Sequence, residues 1–276
     1  VQRTQDTPRN GATARAGTTG GIGGATHPDD VAAVLDEAQR RAGAVPQFEE
    51  GAFDLAGAYR AQEALLALRC ARGERPVGIK LGFTSHAKMA QMGVDELIVG
   101  RLTDAMRVDD GGGLDMGGLI HPRVEPEVAF LLGADLRPGE EPRVTAVAPA
   151  LEVIDSRYRD FRFSLVDVVA DNASSAAFTV GEWTEVPDGL ADLGVRLDID
   201  GTEVRTGSTA AILGNPLDAL AAAAVLAARY GIPVPAGTLV LAGAATAAAP
   251  LPAGSTVRVS VDGLGSASLI SGGGRG

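Results

Sequence analysis

Two glutamates, Glu125 and Glu127, sit inside the apolar run VEPEVAFLL at residues 124–132, and this run restricts the fold more than any other segment. It reads as a strand entering a core. Strand side chains alternate with period two, so the two carboxylates share one face. Acids held this close in an apolar setting need a counter-charge, which a hard divalent cation would supply. The ordinary alternative for a Glu-x-Glu pair is the solvated face of an edge strand.

The rest of the chain fits a β-rich body behind a helical preface. From residue 77 onward, short apolar stretches at 77–80, 119–120, 124–132, 148–154 and 177–180 are separated by glycine and acidic turns and read as buried strands. With 37 glycines and only 4% aromatics, such a chain favours tight turns and small-residue packing. Residues 194–200 alternate, and Asp200-Gly201 predicts a two-residue hairpin turn into 202–205.

Asp29 or Asp30 is placed to cap a first helix reaching about Arg41, and a second helix follows Asp54 and ends near Gly73. Asn215, Pro216, Gly231 and Pro233 punctuate a last helix over 217–230, and strands at 238–242 and 256–261 close the chain. The expected organisation is an unstructured tail at 1–26, a helical region at 27–76, a catalytic core at 77–271 and a flexible end at 272–276. The first 26 residues lack the hydrophobic segment of a secretory signal.

A net charge of −11 argues against a nucleic-acid partner, because that affinity rests on clustered Lys and Arg. Cys70 is the only cysteine, which excludes an intrachain disulfide and a multi-cysteine zinc site and fits a cytoplasmic setting. No apolar run approaches the roughly 20 residues that cross a bilayer, so no membrane association is expected.

Glu152, in PALEVI at 149–154, is an acid among apolar neighbours and the best third oxygen ligand, with Asp155 as its rival. Lys80, in GIKLGFT at 78–84, is a cation inside an apolar strand and must face a carboxylate or an anionic ligand. Thr84 and Ser85 follow as hydroxyl donors or as a cap for a helix over 86–92. Residues 168–175, VVADNASS, form either a side-chain-stabilised turn or a set of hydroxyls for a ligand. His86 and His121 are isolated, and Ser174 and Ser175 lack the Gly-x-Ser-x-Gly elbow of a nucleophile.

The runs GIKLGFTSHAKM (78–89), LIHPRVEPEVAF (119–130), PALEVIDSRY (149–158) and VADNASS (169–175) together resemble the fumarylacetoacetate hydrolase superfamily. More narrowly, they resemble its branch of 4-oxalocrotonate decarboxylases and 2-oxopent-4-enoate hydratases. The resemblance covers about residues 29–270. It implies an α+β fold with a mixed, highly twisted β-roll core and a small N-terminal helical region. It also implies Mg²⁺ or Mn²⁺ held by Glu125, Glu127 and Glu152, with Lys80 as the active-site lysine. Leu81, Ser175 and Gly243, the last in a late loop, are implied contacts of the substrate.

Hydratases of the branch carry an Asp-(Phe or Tyr)-Gly element where this chain has Ile98, and Asp95 and Glu96 nearby fall in a turn. Water activation therefore lacks its base. The expected reaction is decarboxylation of 2-oxohex-3-enedioate to 2-hydroxypenta-2,4-dienoate, with Arg157 and Arg159 steering a dianionic 2-oxo acid. Hydration of the dienol, or a non-catalytic place beside a paralogous hydratase, are the alternatives. The resemblance further implies a homo-oligomer.

Overall fold

The computed structural model describes Ile22 and residues 27–85, 89–90 and 97–272. The tail at 1–21 and 23–26, the end at 273–276, most of the helix expected over 86–92, and Asp95 and Glu96 lie outside the described residues. Ile22, within the segment expected to be unstructured, donates its N–H to Gln47 O at 2.9 Å.

Two helices come first, α1 (Pro28–Arg40) and α2 (Leu55–Ala71). The cap of α1 is His27 rather than Asp29 or Asp30, because Pro28 has no N–H to lose and takes the first helical turn. Asp54 caps α2 by accepting the Gly57 N–H at 2.6 Å. Buried Gln62 on α2 donates at 2.9 Å both to Val99 O of the strand Ile98–Thr103 and to Val169 O of the helix Leu165–Ala170, so α2 is tied to each.

The strands are β1 (Pro76–Gly82), β2 (Ile98–Thr103), β3 (Gly112–Asp115), β4 (Arg123–Leu132), β5 (Val144–Ile154), β6 (Ser175–Val180), β7 (Gly194–Ile199), β8 (Thr202–Ser208), β9 (Leu239–Ala244), β10 (Ala249–Pro250), β11 (Thr256–Val261) and β12 (Gly265–Gly272). Helix α3 (Leu165–Ala170) precedes β6, and α4 (Pro216–Arg229) follows β8. One sheet of seven strands has the order β2-β1-β9-β4-β5-β6 with β10 on β4, and one of five has the order β3-β12-β11-β7-β8. Pairs β1/β9 and β3/β12 are parallel and the remaining pairs antiparallel, so both sheets are mixed.

The expected α+β architecture with curled mixed sheets and a short helical preface is therefore present. The hairpin β7–β8 turns at Asp200 and Gly201, with φ of 53° and 75°, as the Asp-Gly dipeptide requires. Alternation sends Ile79, Leu81, Val128, Phe130, Leu151 and Val153 into the larger core, each 1% exposed or less. The opposite face carries Lys80, Glu127 and Glu152, beside a smaller cluster that includes Leu102, Ala129, Ala150, Phe178 and Leu241.

Residues 119–120 form no strand, because the amides of Ile120 and His121 are drawn to the Asp155 carboxylate at 2.8 Å each. Strands β2, β3 and β12 are additions to the sequence reading. Their Gly and Ser residues look like turns in one dimension, yet β12 runs through Gly272, into the segment expected to be flexible. Thr209–Arg229 spans 21 residues and is long and apolar enough to cross a membrane, which corrects the expectation that no such run exists. Core helices pass the same test, and α4 buries Ala219, Leu220, Ala223, Ala224, Leu226 and Ala227.

Candidate metal centre and active site

The register of β4 on β5 puts Glu125 directly opposite Glu152, with Glu127 one pleat further along on the same face. One carboxylate oxygen from each of the three lies within 4.8 Å of the others. Glu127 and Glu152 are almost completely buried, and Glu125 is partly exposed. Oε1 of Glu127 and Oε1 of Glu152 receive no hydrogen bond. Buried acceptors without donors are costly, and three converging carboxylates repel. Burial, then the neighbouring Glu152, pushes the Glu127 carboxyl well above the usual range against the pull of Lys80. An all-oxygen, negatively charged donor set of this kind fits Mg²⁺ or Mn²⁺.

Strand β9 contributes a backbone donor. The N–H of Gly243 donates to Glu127 Oε2 at 2.9 Å, so Gly243 lies in a strand beside a carboxylate, not in the expected loop. Its φ is 110°, and a Cβ there would lie 2.0 Å from Thr84 Oγ1. Gly243→Ala is therefore expected to cost about 1–3 kcal/mol in backbone strain alone. Thermal melting should show a lower Tm, and an unchanged Tm would mean that β9 does not pack on Thr84 this tightly.

Lys80 stands on β1 with Nζ 2.9 Å from Glu152 Oε2, and it donates to Ala173 O at 3.1 Å. Burial lowers its pKa most, but the summed attraction of Glu152, Glu125 and Glu127 prevails and raises it above the ordinary lysine value. Beside the metal-free carboxylates the ammonium form is therefore favoured. Its stem runs over Gly100 of β2, where a Cβ would meet Lys80 Cδ at 2.9 Å and Asn172 O at 2.8 Å. Ile98 and the lysine ammonium flank Gly82 in the same way, with Ile98 Cγ1 2.8 Å and Lys80 Nζ 4.0 Å from a Cβ built there.

Other expected contacts are placed differently. Leu81 alternates away from Lys80, and its side chain packs into the larger core. Arg157 is neither a steering charge nor a surface ion pair. Only 1% exposed, it is ion-paired with Asp171, and its Nη1 donates to Asp155 O at 2.7 Å and Ser175 O at 3.2 Å. Burial raises the Asp171 carboxyl to about 6, with Arg157 opposing the shift. Arg159 is exposed.

Asp155 binds backbone amides and is outside the triad. Ser175 opens β6 opposite Ile154, two residues past Glu152, with its Oγ buried and without a hydrogen-bond partner. Asn172 and Ala173 fall in the 168–175 segment expected to be a turn or a set of hydroxyls, whereas Gly100 and the contacts of this turn with β2 and Lys80 were not foreseen.

A fumarylacetoacetate hydrolase C-terminal family model matches residues 78–268, and the chain belongs to that family. It is 51% identical over 251 residues to a 4-oxalocrotonate decarboxylase from a Pseudomonas species, covering 89% of this chain and 98% of the relative. A 2-keto-4-pentenoate hydratase of Burkholderia vietnamiensis is 40% identical over 220 residues, 76% of this chain and 83% of the relative. Among solved structures, 4-oxalocrotonate decarboxylase from Pseudomonas putida G7, complexed with magnesium and adipate, superposes with a TM-score of 0.85 at 38% identity. That match covers 91% of this chain and 99% of the other.

Proposed function

We propose that this chain is a metal-dependent decarboxylase of 2-oxohex-3-enedioate or a close 2-oxo diacid. The observation that carries the reading is the triad of partly exposed Glu125 with buried Glu127 and Glu152, and Lys80 ion-paired to its innermost member. The extent of identity to decarboxylases supports it, as does the magnesium in a structural neighbour. The three carboxylates would hold Mg²⁺ or Mn²⁺, which when bound supplies Lewis acidity towards a 2-oxo acid.

The chain's own part is to stabilise charge and exclude water. Breaking the bond to the distal carboxylate releases CO₂. The electron pair left at C5 conjugates through C3=C4 into the keto group, giving the dienolate of 2-hydroxypenta-2,4-dienoate. Lys80, charged and pinned by Glu152 and Ala173 O, offers a fixed positive charge that needs no reorganisation as negative charge develops. Ile98 is 3% exposed and apolar beside that ammonium, so it offers no group to activate water. Ser175 is retained as a pocket hydroxyl, because its buried Oγ has no protein partner.

Hydratases among the relatives keep dienol hydration as the competing reading, and a homo-oligomer or a complex with such a hydratase belongs to the same proposal. Incubation with Mn²⁺ and either 2-oxohex-3-enedioate or 2-hydroxypenta-2,4-dienoate separates the two. CO₂ release from the diacid is expected, without loss of the dienol. Turnover of the dienol alone would overturn the assignment, and inertness to both would favour a non-catalytic partner.

A further inference from the structure

Lys80 is held from behind as well as from the triad, by an unusual stretch of backbone. Asn172, Ala173 and Ser174 are three successive non-glycine residues with φ of 51°, 52° and 59°, and all three are buried. L-residues visit this region singly, so a run of three persists only where its surroundings enforce it. The Asn172 side chain supplies the enforcement. Its Oδ1 accepts the Arg101 N–H at 2.7 Å and its Nδ2 donates to Arg101 O at 2.9 Å.

These two bonds imitate a neighbouring strand along β2, which is the edge of the seven-stranded sheet. Docked in this way, the Asn172 carbonyl packs on Gly100, and the next carbonyl, that of Ala173, reaches Lys80 Nζ at 3.1 Å. Ser174 O accepts the Asp155 N–H at 2.8 Å and fixes the far end of the turn.

We propose that Asn172 is a positioning residue for Lys80: its carboxamide docks the left-handed turn on β2 so that the Ala173 carbonyl holds the ammonium opposite Glu152. Where activity is the readout, this rests on the decarboxylase reading above. Asn172→Ala removes the clamp, and Asn172→Gly removes it while keeping a residue at ease with the local φ. In the full chain with Mn²⁺, either variant is expected to lower kcat on 2-oxohex-3-enedioate roughly tenfold or more, with KM and Mn²⁺ affinity within about twofold. In a Lys80→Met background the same change should have almost no further effect, since residues acting as one unit are not additive. Equal fractional losses in both backgrounds, or an unchanged kcat in a folded variant, would overturn the proposal.

A second readout needs no turnover. In metal-free protein labelled with [¹⁵N]lysine, the Lys80 Nζ signal, identified by its loss in Lys80→Met, should be shifted and faster-exchanging in Asn172→Gly. An unchanged signal would overturn the positioning role. A changed signal in a protein inert to the diacid would uphold it while rejecting the decarboxylase reading.

Discussion

Lys80→Met is expected to cost the metal-free protein about 3–5 kcal/mol, the range seen when one partner of a buried ion pair is removed. The loss arises because Glu152, essentially without solvent contact, would be left without its ion-pair partner, and Glu127 beside it would lose the attraction of the same cation. Mn²⁺ should restore much of it, because a ligand that binds only the native state at a hundred times its Kd adds about 2.7 kcal/mol. Affinity for the ion should hold or rise, since a competing positive charge is gone. The kcat should nevertheless fall about 10²–10³-fold, the scale of removing one preorganised charge. Calorimetric titration and melting with and without Mn²⁺ test all three points. If the ion no longer bound, Lys80 would be organising the triad rather than serving the reaction.

Arg157→Met should destabilise by a similar amount without rescue by Mn²⁺. Its guanidinium is the counter-charge of fully buried Asp171 and ties the end of β5 to the start of β6 through Asp155 O and Ser175 O. With roughly 2–4 °C of Tm per kcal/mol for a chain of this size, a loss of about 3–5 kcal/mol is readily measured. A melting temperature within a degree of wild type would show that the pair contributes nothing net. Arg157→Met together with Asp171→Leu should recover part of the loss, since replacing both partners removes the unpaired charge.

The two variants also show where reading the chain in one dimension succeeds. Glu125 and Glu127 are visible because period two and an apolar frame are local properties, and Glu152 because an acid among aliphatic residues is locally anomalous. Lys80 declared itself for the same reason. Arg157 misled because its neighbours Arg159 and Asp160 are polar, while the partner that accounts for it, Asp171, lies 14 residues on. Leu81 lies next to Lys80 in sequence, but alternation along β1 sends its side chain to the opposite face.

Gly243 and Gly100 act through backbone atoms and close approach, and Asn172 through a carboxamide bound to the backbone of another strand. Their significance exists only once β9, β2 and the 172–174 turn have met. The fold itself was legible where strands alternate cleanly and where Asn, Pro and Gly mark an end. It was not legible in β12, whose Gly and Ser residues pair with β11 and β3 without any local cue.

The bond from Gly243 to Glu127 spans 116 residues, and that from Lys80 to Ala173 spans 93. Contacts between such distant parts of a chain carry their closure entropy before they return any stabilisation, so they complete late in folding. The triad itself rests on the β4–β5 pair, but its contacts with Gly243 and Lys80 exist only in molecules where β9 and β1 have joined that pair. Stoichiometric uptake of Mn²⁺ by a refolding sample would accordingly count native chains, and its time course would follow sheet closure and lag behind the appearance of helix.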